Sequence, residues 1–151
     1  MLSVASAMLG RMGALFGYYA ADDDEHAGRA VLREDGRSPG AGYDEVVVKG
    51  ISPMIDLLPV EERLTGRSAE QVRADPRHCR VVGAGAGGEI VTLSLTDAFR
   101  DALARADGGP GAAAPERDTA SGDLAHLLPA LAALAERAVA RGQRLYCWIR
   151  P

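Results

Sequence analysis

The most constraining feature of this sequence is a leucine stripe joined to an apolar strand by a link of almost no length. Leu124, Leu127, Leu128, Leu131, Leu134 and Ala138 recur at helical spacing and share one face. Gly142 stops that helix, with Arg137 and Arg141 at its negative end, and Leu145-Tyr146-Cys147-Trp148-Ile149 follows as an apolar run. Only Gly142 to Arg144 lies between, so the strand must return beside its own helix and turn one face to the leucine stripe. Large side chains on both faces place this strand inside a sheet. Pro129 leaves the first residue of the helix open.

Other signals fill in a single α+β domain with a small mixed or antiparallel sheet, several helices, and the closing strand after the last helix. Met12 to Tyr19 is short, aromatic and bounded by small residues, which reads as the first strand. Asp22, Asp23, Asp24 and Glu25 supply a cap and acids for a helix running to about Arg33. Val46-Val47-Val48 is a β-branched strand ending at Gly50. Ser52-Pro53 opens a helix that stops at Gly66, and Pro59 kinks it or divides it at Leu58. Ser68 with Gln71 is a capping box, closed by Pro76. Cys79 to Val82 and Ile90 to Ser94 flank a glycine-rich connection as an antiparallel hairpin. Phe99, Ala102, Leu103 and Ala106 mark a helix that starts at Thr96 and Asp97.

Composition sets limits on class. A chain of 151 residues is one domain by length and buries roughly 68–70% of its unfolded surface. Met12 is a second possible start, so residues 1–11 read as a disordered N-terminal extension, 12–151 as the domain, and 108–120 as a mobile internal loop. A net charge of -4 argues against nucleic acid as a partner. Arg11 and several glycines interrupt the apolar opening, so neither a signal peptide nor a membrane span is expected. Two cysteines, Cys79 and Cys147, fit a reducing compartment and hence the cytoplasm. Lys49 is the one lysine among 17 basic residues, the coding bias of a GC-rich bacterium.

No motif assembles a reaction. Gly83, Gly85 and Gly88 match a phosphate-loop spacing, but a strand follows them where the motif needs a helix, so they read as a surface hairpin turn. The acids of residues 22–25 point in different directions on a helix and read as capping. His78 and Cys79, taken as strand neighbours, face opposite sides, and Cys147 reads as a buried, inert thiol. No cofactor or metal is implied. Ligand-binding candidates are Lys49 and Ser52, where a lysine meets a helix start able to take an anion. Tyr18, Tyr19 and Trp148, with Tyr146, join them as aromatics that would line a pocket if the first and last strands are neighbours; the favoured reading is that they are core with their polar tips satisfied locally.

The Met12-Gly13 opening before an aromatic strand, the Leu64-Thr65-Gly66 after a central helix, and the long helix leading through Arg141-Gly142 into Leu145 to Ile149 resemble the YfbM-like family of small bacterial proteins of unknown function. The resemblance spans residues 12–151. Members often carry Trp and His before the Leu-Thr-Gly, where this chain has Met54 to Pro59, so a site built on that pair has no counterpart here. The resemblance implies an α+β fold and no activity. The favoured reading is a binding or accessory interaction module for a protein or a small anionic ligand, with catalytic residues and oligomeric state unassigned. The alternative is a small hydrolase or transferase acting on an anionic metabolite, with Lys49 as charge stabiliser and Asp56 or Glu61 as base.

Overall fold

A computed structural model describes residues 14–32, 42–85, 89–105 and 121–150. The expected extension at 1–11 and loop at 108–120 lie outside the described residues. Among the described residues five strands form one sheet: β1 Leu15–Ala21, β2 Glu45–Lys49, β3 Val81–Gly85, β4 Ile90–Ser94 and β5 Arg144–Arg150. Their order is β2-β1-β5-β4-β3, with every neighbouring pair antiparallel. The α+β expectation holds, and the closing strand is internal as its two apolar faces require. It pairs with β1 from Leu15↔Arg150 to Ala21↔Arg144, and with β4 from Val91↔Ile149 to Ser94↔Tyr146.

The two faces of the sheet carry unequal layers. Phe16, Tyr18, Leu93, Leu145, Cys147 and Ile149 point to the thicker one, which contains α2 Leu58–Thr65, α4 Asp97–Arg105 and α5 Ser121–Arg141. Leu127, Leu128, Leu131 and Leu134 of α5 are buried there, whereas Glu136 is exposed, so the leucine stripe faces the sheet as its spacing predicts. On the other face Tyr19, Tyr146 and Trp148 pack with Ala27, Ala30 and Val31 from α1 Asp24–Arg29 and the 3-10 turn Ala30–Leu32 that continues it. The small helix α3 Ala69–Ala74 starts on a complete capping box, with both Ser68–Gln71 bonds present.

Three local expectations are corrected, and the helix start that Pro129 left open falls at Ser121. Ser52 does not start the helix: its hydroxyl accepts from the Met54 and Ile55 N–H groups at 3.0 and 3.2 Å and caps a single turn. The helix begins at Leu58, which puts Pro59 in the first turn, where its missing N–H costs nothing. Strand β3 begins at Val81 rather than Cys79, because Asp75 accepts from the N–H groups of Arg77 and His78 and holds a turn that ends with Cys79 at φ 51. The first strand runs to Ala21, extended by its pairing with β5. Helix α5 passes through Pro129, which together with Ala125, whose carbonyl loses its partner, lies on the exposed side.

The antiparallel hairpin forms, but Gly83 and Gly85, expected in its surface turn, lie within β3: the register runs from Val81↔Leu93 to Gly85↔Ile90, and Glu89 is in a turn. These glycines have a packing role that local spacing does not reveal. A Cβ on Gly83 would lie 2.6 Å from the Gly28 Cα, and one on Gly85 would lie 1.9 Å from the Val31 carbonyl oxygen. The backbone of α1 and its 3-10 turn therefore rests directly on β3, a contact closed to any residue with a side chain.

Candidate functional site

The sequence candidates do not converge on one cavity. Tyr18 and Tyr19 are consecutive and so point to opposite faces of β1. The Tyr18 hydroxyl donates to the Ile51 carbonyl at 2.7 Å. The Tyr19 hydroxyl donates to the Ala27 carbonyl at 2.7 Å and lies at the same distance from Thr92 Oγ1. Burial pushes both phenols well above their ordinary pKa, so they stay protonated donors. Ser52 is fully buried as a turn cap. The first and last strands are neighbours, but their aromatic side chains fill the core and their polar tips are satisfied within it.

Two polar clusters tie the fold together. At one end of the sheet the Asp24 carboxylate accepts from the Tyr146 hydroxyl at 2.7 Å and from Arg77 Nη1 at 3.2 Å, with Arg77 Nη2 at 3.1 Å. Arg77 Nε faces Asp97 Oδ1 at 3.8 Å, beyond hydrogen-bond reach, and Arg144 lies 3.4 Å from the other Asp97 oxygen. Burial raises the Asp24 pKa, but the Arg77 and Tyr146 bonds and the nearby guanidinium charges outweigh it and hold the carboxyl below its ordinary value. With two carboxylates against two guanidinium groups, the cluster is charge-balanced and fastens α1 and the turn before β3 to the sheet. The acids of residues 22–25 go to separate partners, Gln143, His26, Tyr146 with Arg77, and Arg29.

The second cluster surrounds Glu61, which is 4% exposed and accepts the Thr96 hydroxyl at 2.5 Å. Burial raises its pKa. Cys79 is pushed up to about 12 by burial and by the Glu61 charge, and Cys147 is raised by burial, so both thiols are poor nucleophiles at neutral pH. Asp56 Oδ2 accepts the Ser52 N–H at 2.7 Å. Asp56 and Glu61, the acids of the enzymatic alternative, are thus both engaged in holding the chain.

Among the described residues, one surface open to a partner is the outer edge of β2, where Lys49 lies. The Gly50 N–H donates to the Ala14 carbonyl, and the Asp44 carbonyl accepts from the Ala20 N–H. By the two-residue period, Val46 and Val48 turn their backbone groups to β1, and Glu45, Val47 and Lys49 turn theirs outward. Among the described residues no strand pairs with that edge. Val46 and Val48 pack on the core side, while Val47 is 46% exposed and Lys49 is exposed on the other. A shallow groove of about 180 Å³, lined by Val46, Val47, Val48, His126, Leu127 and Ala130, separates this edge from α5.

Trp148 supports the edge from two strands away. Its ring lies on Gly17, where a Cβ would come within 2.0 Å of it, and so reaches across β1 to donate from Nε1 to Glu45 Oε2 at 2.6 Å. The Arg150 guanidinium covers the ring at 5.6 Å. Trp148 thus reaches β2 at Glu45, which the sequence analysis does not single out, while Lys49 lies at the other end of the strand. The signal for Glu45 was the charge at each end of the valine run. The opposite edge, β3, is broken by a register shift between Val81 and Gly83, as protected edges often are.

Compared with family models, with curated proteins and with solved structures, the chain matches none of them. Among the described residues no helix is long and apolar enough to cross a membrane.

Proposed function

We propose that this protein is an interaction module that binds an extended protein segment by strand addition at the outer edge of β2. One observation carries the reading: β2 is a regular, β-branched strand whose outward N–H and C=O groups face no strand among the described residues. Strand addition takes affinity from main-chain hydrogen bonds and specificity from alternate side chains. Val47, flanked by Glu45 and Lys49, would select a segment with an apolar residue between charges opposite in sign to the residues they face. Kinship with the YfbM-like family belongs to the same proposal, supported by the helix stop at Gly66 and the passage from α5 through Gly142 into β5.

The test is a synthetic peptide of alternating valine and charged residues, titrated into isotopically labelled protein and followed by amide NMR shifts. Saturable shifts concentrated at Glu45, Val47 and Lys49, and lost with Val47→Pro, are expected. Shifts confined to β3 or α5, or none at millimolar peptide, would refute the reading.

A further inference from the structure

The β2 edge is complementary to itself. Its sequence runs Glu45-Val46-Val47-Val48-Lys49, acid at one end, base at the other, valines between. In an antiparallel pairing of two copies about a two-fold axis through Val47, Glu45 of each copy stands opposite Lys49 of the other. The outward residues 45, 47 and 49 also fall opposite one another, so each outward N–H meets a carbonyl of the other copy. A shift of the axis along the strand shortens the overlap and parts the charges. A groove lies between β2 and α5, and Trp148 holds Glu45 in place at one end.

Resting on the strand-addition reading, we infer that the segment taken by β2 is β2 of a second copy, so that two sheets join into one continuous sheet across a two-fold axis. This interface is isologous, the commonest form of homodimer. A five-residue strand alone gives a small contact, so the association is concentration-dependent. Because the end contacts set opposite charges against each other at the rim of the sheet, it weakens as salt rises.

Sedimentation equilibrium on the full chain over a wide concentration range tests the inference. The expected result is a shift from 15.8 kDa toward twice that mass, abolished over the same range by Lys49→Glu, which sets glutamate against Glu45. Lys49 is exposed, so the variant should keep its thermal midpoint. A second measurement fixes the register. Opposed Cα atoms at a hydrogen-bonded pair are about 5.5 Å apart, within disulfide reach. Val47→Cys should therefore give an oxidised dimer, and Lys49→Cys, which faces Glu45, should not. A mass of one chain at every concentration overturns the inference, as does a dimer indifferent to Lys49→Glu or cross-linked equally well through residue 49. If the chain stays monomeric while the valine peptide still perturbs residues 45, 47 and 49, self-pairing falls and strand addition stands. If the peptide fails as well, both fall.

Discussion

Alanine is ordinarily preferred to glycine inside a strand by roughly 0.5–1 kcal/mol, because glycine loses more backbone freedom on folding. Gly85→Ala should reverse that sign. The new methyl would sit 1.9 Å from the Val31 carbonyl oxygen and 2.8 Å from its carbon, both main-chain atoms that no rotamer change can move. Overpacking costs typically 1–3 kcal/mol, and with main-chain atoms in the way the upper part, about 2–3 kcal/mol, applies, so after the usual alanine gain a net loss of about 1–2 kcal/mol remains. For a chain of this size that lowers the thermal midpoint by roughly 2–8 °C. Urea titration gives the free energy directly, and Ala84, exposed on the same strand, serves as the control. Ala84→Gly should also destabilise, by the ordinary strand preference, so substitutions in opposite directions at adjacent positions should both weaken the protein. A Gly85→Ala variant as stable as the parent or more so would mean that α1 and its 3-10 turn do not rest on β3 as described.

Truncating Leu131, which is fully buried, to alanine should cost about 2–5 kcal/mol in denaturant titration, while Glu136→Ala on the exposed side of the same helix should stay within about ±0.5 kcal/mol. Equal shifts would place the wrong face inward. Glu61, with its folded pKa raised by burial, contributes stability below the ordinary value of 4.5 that is lost as pH rises through the higher folded value; Glu61→Gln should remove that part of the pH dependence, and an unchanged profile of urea midpoints would count against it. Asp24 has the opposite sign, its folded pKa lying below 3.8, so its contribution is present above that value and disappears as pH falls through the folded one. Arg77→Met should shrink this acid-side loss, visible in the same midpoints at low pH. With Cys79 pushed up to about 12 and Cys147 buried, iodoacetamide at neutral pH should label neither thiol quickly until the protein is unfolded; rapid native labelling of Cys79 would contradict its described burial.

Features set by neighbours in sequence were legible, and those set by distant contacts were not. The leucine stripe of α5 and the short link to β5 determine each other locally, and the Ser68–Gln71 box needs only three residues of spacing. The hairpin of β3 and β4 follows from alternation around a turn. Gly83 and Gly85 read as a loop because the reason for them, the backbone of Gly28 and Val31, lies far off in the chain. The apolar successors of Cys79 point to a strand, whereas Asp75 bends the chain there first. At the edge, Lys49 was recognisable by its isolation as a cation. Glu45 became visible only when Gly17 let the Trp148 ring cross β1 to meet it.

The position of β5 has a consequence for how the chain is made. Synthesis delivers β1, β2, β3 and β4 before the strand that separates the two pairs, so a nascent chain carries two antiparallel pairs, β1 with β2 and β3 with β4, and no strand to complete the sheet between them. The ladder between β1 and β5 joins residues from nearly opposite ends of the described chain, the kind of long-range closure that slows folding. Until β5 emerges, both pairs expose an inner edge, and Phe16, Tyr18 and Leu93 lack their central neighbour. Such open edges are a hazard during translation, when unpaired strands seek partners on other chains. Seen this way, late delivery of the keystone strand makes the ribosome-bound stage the period of greatest vulnerability to aggregation. Substitutions in β5 should therefore lower the yield of folded protein in cells by more than their effect on the stability of the finished molecule would suggest.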